Sequence, residues 1–417
     1  VLLLQIKRVA MLSLHTSPLE QPGSGDAGGM NVYVRSVAVE LARSGVEVEI
    51  FTRASDSQQK PVVELAPGVT VRHVSAGPRR RIAKEALPGL AADLASGVTD
   101  VHPLSGGRRF DVIHSHYWVS GTAGLAVARA WDLPLVHTMH TMARVKNLRL
   151  QPGETPEPGV RIDGEQEIVD GATRLIANTS TEAGELETLY GADPLEVDVV
   201  APGVDLQIFS SRNSDAARAR LGVPPEVFHV VFAGRIQRMK GPQVLVRAAA
   251  ELHARRPDIP LKISILGAGS GSEVLDLQPL VDSLGLHAQV SLHPPVDAPG
   301  LAEWFRAADV VAVPSFSESF GLVALEAQAC GTPVLAANVG GLPKAVGHGR
   351  TGLLVDGHDA GRWSAELEKL YDDAGLRRAL GYGAAEHAAA FGWKRTASLT
   401  ARSYLQAARQ FSAQSVR

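Results

Sequence analysis

The sequence predicts an α/β protein made of two doubly wound parallel-sheet domains facing across a cleft. Three observations predict it. Short apolar runs alternate with stretches of helical spacing from end to end. The alternation stops at Pro202-Gly203-Val204-Asp205 and then starts again. The length of 417 residues, 45% of them hydrophobic, suffices for two sizeable cores. Strands and helices that alternate in this way form parallel sheets covered by helices on both faces.

In the first half, residues 9–14 read as a buried strand, residues 30–43 as a helix stopped by Gly45, and residues 46–51 as a second strand. Residues 111–115, 134–138, 174–178 and 197–200 complete that set. Residues 55–67 and 150–159, rich in Pro, Gly and polar side chains, read as surface loops. In the second half the strands are residues 227–233, 261–266, 289–292, 310–313, 333–336 and 352–355. Residues 384–417 read as helix, interrupted near Phe391-Gly392-Trp393. The expected division is 1–204 and 205–393, with the terminal helix, about 394–417, packing back on the first domain.

A formal net charge of −3 gives no long-range field for nucleic acid or an anionic membrane, so any phosphate site is local. The single cysteine, Cys330, excludes an internal disulfide and a thiolate zinc cage and reads as a small buried helix residue. No apolar run is long enough to span a bilayer. Val1-Leu2-Leu3-Leu4 is too short for a signal core, and Lys7 and Arg8 follow it rather than precede it. The expectation is a cytoplasmic protein.

The stretch Gly23-Ser24-Gly25-Asp26-Ala27-Gly28 has the G-x-G-x-x-G form of a dinucleotide loop. However, eight residues, including Pro18 and Pro22, separate it from the preceding strand, so the turn is long rather than tight. Gly267-Ala268-Gly269-Ser270-Gly271 lacks the full spacing. Gly28-Gly29-Met30-Asn31 reads instead as glycines that admit a ligand to a helix start, where free N–H groups favour anions. The alternative is a flexible surface loop. His114 and His116 share one face of a strand, as two zinc ligands would, but no third ligand accompanies them.

The segment from Ser317 to Glu326 follows a strand and leads into a helix that Gly331 ends. The helix start at Phe320, Gly321 and Leu322 suits a diphosphate. Glu326 shares a helix face with Leu322 and could accept hydrogen bonds from ribose hydroxyls, while Glu318 could reach a sugar ring. In Gly234-Arg235-Ile236-Gln237-Arg238-Met239-Lys240-Gly241, Arg235 and Lys240 can converge on one phosphate pair. Preorganised charge of this kind would stabilise a leaving group.

The pairing of Gly-Arg-x4-Lys-Gly with E-x7-E (Glu318 to Glu326) resembles the retaining GT-B enzymes of glycosyltransferase family 4, built from two Rossmann-like domains. His15-Thr16-Ser17-Pro18-Leu19, the run from Gly25 to Tyr33, His114-Ser115-His116-Tyr117-Trp118 and His137-Thr138-Met139-His140-Thr141 narrow the resemblance to the D-inositol-3-phosphate glycosyltransferases that open mycothiol biosynthesis. It spans residues from about Arg8 to about Trp393. The resemblance implies transfer of N-acetylglucosamine from UDP-N-acetylglucosamine to 1D-myo-inositol 3-phosphate by a homodimer. It implies donor contacts at His15, Glu20, Gln21, Gly29, Arg235, Lys240, the Val296 backbone, Glu318 and Glu326. It implies acceptor contacts at Asp26, Ala27, Gly28, Gly29, Met30, Asn31, Lys84, Tyr117, Thr141 and Arg161, and Mg2+ near Phe305, Arg306, Ala308 and Thr332. The family pattern has Gln where Glu20 stands. Arg235, Lys240, Glu318 and His140 are the candidate catalytic residues, His140 near the reacting sugar. Rival readings are a sucrose-phosphate synthase-like enzyme, a mannosyltransferase or a UDP-sugar epimerase. Arg79-Arg80-Arg81 and Arg144 with Lys146 are the basic groups a lipid-directed enzyme would use.

Overall fold

The computed structural model describes residues 5–22, 27–101, 110–150, 155–269 and 275–414. The chain divides into two compact units. One comprises residues 1–20, 30–201 and 393–417, and the other residues 21–29 and 202–392.

The first unit holds an eight-stranded sheet. Its strands are β1 (Arg8–Leu12), β2 (Glu47–Arg53), β3 (Val62–Ala66), β4 (Val69–Val74), β5 (Val112–His116), β6 (Leu135–Thr138), β7 (Arg174–Ala177) and β8 (Val197–Val199). The order is β3-β4-β2-β1-β5-β6-β7-β8, parallel except for the β3–β4 pair. From β1 the chain moves outward one way through β2 and β4, and from β5 it moves the other way. The order therefore reverses between β1 and β5, which is where open sheets of this kind bind ligands. Central strands such as β5 are buried along their whole length, so they read as continuous apolar or tightly paired runs. The helix Trp393–Gln414 belongs to this unit: Tyr404 Oη lies 2.6 Å from His114 Nδ1, and Thr396 Oγ1 donates to the Ala201 carbonyl at 2.9 Å.

The second unit holds a six-stranded, wholly parallel sheet. Its strands are β9 (Phe228–Ala233), β10 (Leu261–Leu266), β11 (Val290–His293), β12 (Val310–Val313), β13 (Val334–Ala337) and β14 (Gly352–Val355). The order β11-β10-β9-β12-β13-β14 reverses between β9 and β12.

One sequence expectation changes and another holds. Residues 55–67 are not loop throughout, because β3 occupies the second half and forms an antiparallel edge hairpin with β4. The break in the terminal helix is real: helices Ala374–Ala388 and Trp393–Gln414 flank it. No helix among the described residues is long and apolar enough to cross a membrane.

Candidate functional site

In the first unit the site grows from the loops that follow β1, β5 and β6. At the end of β5 the backbone of Tyr117 takes φ 69°, rare for a bulky residue and costing on the order of 1–3 kcal/mol. That turn lays the phenol ring where two cations meet it. Lys84 Nζ stands 4.6 Å from the ring centroid and Arg161 Cζ 5.1 Å from it. His15, after β1, packs its ring at 4.5 Å on the same phenol. Burial pushes the Tyr117 hydroxyl up, but Lys84 and Arg161 outweigh burial and hold it below the usual phenol range. Arg161, 2% exposed, donates from Nη2 to Thr141 Oγ1 at 3.0 Å and to the Thr141 carbonyl at 3.1 Å. Thus Lys84, Tyr117, Thr141 and Arg161, far apart in sequence, come together.

Arg161 is held from below by two carboxylates, Glu157 at 2.9 Å and Glu165 at 2.7 Å. Neither glutamate figured in the sequence reading. The four-residue spacing of Arg161 and Glu165 on the helix Gly159–Gly171 was the available signal, whereas Glu157 lies just ahead of that helix. Asn31 commits its amide to Thr16 Oγ1 at 2.9 Å and to the Ser17 carbonyl at 2.7 Å, so it braces the loop after β1. Glu20 pairs with Arg81 at 3.5 Å. Ala27 is buried, Gln21 and Gly29 are exposed, and Asp26 lies outside the described residues.

Beside this cluster sit three buried histidines, His114, His116 and His137, and a part-buried one, His140. His116 Nδ1 lies 2.9 Å from His140 Nε2, His114 packs at 4.0 Å on His116, and His137 Nδ1 lies 2.7 Å from Ser115 Oγ. His140 has φ 62°, a second strained backbone at a strand end. Burial depresses all four. His137 and His140 fall to about 3, while His114 and His116 go well below their ordinary value, helped by their histidine neighbours. They are neutral at pH 7. Among the described residues no group of three or more His, Cys, Asp or Glu is arranged to hold a metal ion.

In the second unit the loops after β9 and β12 meet at the point of strand reversal. Lys240 Nζ donates to Glu318 Oε2 at 2.7 Å, and Ser315 Oγ reaches the same oxygen at 3.3 Å. The two sequence motifs are therefore one site. Gly241 takes φ 75°, and a Cβ there would lie 2.0 Å from the Pro314 carbonyl oxygen, so only glycine lets the two loops approach this closely. Arg235 is half-buried and has no carboxylate partner among the described residues. Gly28 lies against it, an added Cβ falling 3.6 Å from Arg235 Nε, and Gly29 similarly approaches Leu322.

The helix Leu322–Ala329 starts at Gly321 with no side chain capping its N–H groups. Glu326 lies one turn in. It is 8% exposed, and burial alone raises its carboxyl to about 8. Val296 precedes Asp297, whose side chain caps the helix Ala298–Ala307. At the C-terminal end of that helix Thr332 Oγ1 donates to the Phe305 carbonyl at 2.6 Å, and the Ala308 N–H donates to it at 3.2 Å. Arg306 turns away to the Ser210 and Ile208 carbonyls. This helix end offers neutral carbonyl oxygens, the donor type of a hard cation, with no carboxylate and with Phe305 already accepting twice.

The comparisons agree with this geometry. Residues 28–203 match the glycosyl transferase 4-like domain, and residues 213–387 match the glycosyl transferases group 1. The chain is 60% identical to a D-inositol 3-phosphate glycosyltransferase of Arthrobacter sp. (strain FB24), over 97% of this chain and 96% of that protein. It is 52% identical to one from Thermobispora bispora, over 97% of this chain and 95% of that protein. The sucrose-phosphate synthase structure from Thermosynechococcus elongatus superposes with a TM-score of 0.88 at 31% identity, covering 96% of this chain and 98% of that one. The chain is therefore a glycosyltransferase of the GT-B fold and belongs to the D-inositol 3-phosphate glycosyltransferase family.

Proposed function

We propose that the protein transfers N-acetylglucosamine from UDP-N-acetylglucosamine to 1D-myo-inositol 3-phosphate with retention, the first step of mycothiol biosynthesis. The observation that carries this reading is the convergence of Lys84, Arg161, Tyr117 and Thr141, two cations and two hydroxyls suited to a phosphate monoester. The names of the 60% and 52% identical relatives point to the same acceptor.

On the donor side, Glu326 takes the ribose hydroxyls and the uncapped helix start at Leu322 takes the diphosphate. In the step itself the acceptor oxygen bonds to the anomeric carbon as the bond from that carbon to the diphosphate breaks. The acceptor proton passes to a donor phosphate oxygen, and UDP leaves. Charge grows on the diphosphate, and Arg235 and Lys240 stabilise it where it grows. Lys240 is partnered by Glu318 beforehand, so it is already oriented, and Glu318 then turns to the sugar hydroxyls. His140 flanks the reacting sugar as a neutral imidazole. His15, Glu20, Gln21, Gly29 and the Val296 backbone complete the donor contacts. Residues 26–31 contribute acceptor contacts, and Asn31 braces the loop after β1.

A magnesium ion at the carbonyls of Phe305, Arg306, Ala308 and Thr332 would be structural, since these oxygens lie at a helix end and not among the reacting groups. No step depends on it. The active species is proposed to be a cytoplasmic homodimer.

Mass spectrometry of the product formed from UDP-N-acetylglucosamine and a panel of polyols and phosphorylated sugars tests the reading. The mass of an N-acetylglucosaminyl-inositol phosphate is expected. The likeness to a sucrose-phosphate synthase makes a phosphorylated hexose the second acceptor to try, and a product only with that acceptor would replace the present reading.

A further inference from the structure

The cations around Tyr117 are three, not two. Lys146, from the short helix Ala143–Asn147, is part-buried, and its Nζ pairs with Glu157 Oε1 at 2.7 Å. Burial lowers its ammonium, repulsion from Arg161 and Lys84 adds to this, and Glu157 opposes both. Lys146 also helps to hold the Tyr117 phenol down. It therefore lies within the same field as Lys84 and Arg161.

The two carboxylates that balance these cations differ in kind. Glu165 is fully buried and fixed: it accepts from Arg161 Nε, from the Ala143 N–H and from Tyr190 Oη. Glu157 lies just ahead of the helix Gly159–Gly171, and its side chain is 23% exposed. Its two oxygens bridge Lys146 at 2.7 Å and Arg161 Nη1 at 2.9 Å. Its backbone N–H donates to Asn147 Oδ1 at 2.8 Å. A carboxylate spanning two cations occupies the geometry that two oxygens of a phosphate monoester would use.

We propose that Glu157 is an internal counter-ion that the phosphate of the acceptor displaces, and that Lys146 is a third cation gripping that phosphate. The inference rests on the phosphorylated-acceptor reading above and adds a source of specificity. A phosphate dianion carries more charge than Glu157 and can take its cations. A neutral polyol cannot, so Glu157 keeps the pocket closed to unphosphorylated competitors.

Isothermal titration of wild type, Glu157→Gln and Lys146→Gln with 1D-myo-inositol 3-phosphate, with inorganic phosphate and with UDP tests this. Glu157→Gln keeps shape and hydrogen-bonding oxygen but loses the charge. It is expected to bind both phosphate compounds about fivefold tighter or more, with a steeper loss of affinity in salt. Lys146→Gln is expected to bind the inositol phosphate on the order of tenfold more weakly and UDP unchanged. If Glu157 merely props the cations in place, Glu157→Gln binds more weakly. That result, or unchanged affinity, overturns the counter-ion role. Normal acceptor affinity in Lys146→Gln overturns the third cation. Failure of wild type to bind the inositol phosphate would appear before any variant is compared, and would remove the underlying reading together with this one. Melting temperatures within a few degrees of wild type are the control for folding.

Discussion

Acidification is expected to destabilise the first unit. His137 and His140 are held at about 3 by burial, whereas in the unfolded chain they titrate near their ordinary value of about 6.5. Folded, each binds fewer protons than unfolded below that value. Their contribution to stability is complete above about pH 6.5 and is lost as the pH falls toward 3. By pH 5 each costs about 2 kcal/mol, and His114 and His116, also depressed, add in the same direction.

Two carboxyls in the same unit, Glu182 and Glu185, both raised by burial, oppose them. Burial raises the Glu182 carboxyl to about 8, so the folded protein holds a proton that the unfolded chain releases, and moving from pH 7 to 5 returns roughly 2.5 kcal/mol. His137 and His140 together lose about 4 kcal/mol, more than Glu182 returns, against a typical domain stability of about 5–15 kcal/mol. In the second unit Glu326 opposes four depressed histidines, His229, His293, His358 and His387. Glu326, raised to about 8, gains on acidification what His229, lowered to about 4, loses. Calorimetric scans at pH 7 and pH 5, with hydrogen exchange to assign each transition, should show the first unit's transition move down by roughly several degrees. A first-unit transition that does not move, or His137 and His140 imidazole resonances that titrate near 6.5, would refute the reasoning.

Three further outcomes are expected. Glu326→Ala should weaken UDP binding by about 1–3 kcal/mol, whereas Glu326→Gln, which mimics the protonated carboxyl present at pH 7, should bind UDP nearly as wild type does; calorimetry reads both. Arg235→Ala and Lys240→Ala should lower kcat more than they weaken UDP affinity, as steady-state kinetics beside equilibrium binding would register. Gly241→Ala must move the Pro314 carbonyl or unwind φ 75°, so the second unit should lose roughly 2–4 kcal/mol in thermal melts and donor binding should fall with it.

The parallel strands were legible because burial on both faces writes them as short apolar runs, as in Val310–Val313. The β3–β4 hairpin was not. Val62–Ala66 is a half-exposed edge strand carrying Glu64, and its neighbours have loop composition. The donor motifs were legible because both lie directly after strands, and the Lys240–Glu318 pair shows why they occur together. The acceptor cluster could not be assembled from spacing, since Lys84, Tyr117, Thr141 and Arg161 come from separate connections and meet only through the sheet order. The resemblance named those four but not Lys146, Glu157 or Glu165, whose roles depend on pairing geometry. The structure also changes which variant is informative. Arg161 neutralises a fully buried glutamate, so Arg161→Ala would strand that charge and damage the fold. Lys84, half-exposed above the Tyr117 ring, can be removed more cleanly.

The central claim is that the first unit recognises a phosphate on the acceptor. The most direct measurement is kcat/KM of the wild-type enzyme for 1D-myo-inositol 3-phosphate against unphosphorylated myo-inositol, repeated with Lys84→Ala. The account predicts a wild-type preference on the order of a hundredfold or more, the worth of two charged hydrogen bonds, and its collapse in Lys84→Ala through KM, with UDP affinity unchanged. Equal use of the two acceptors by wild type, or full retention of the preference without Lys84, would contradict it.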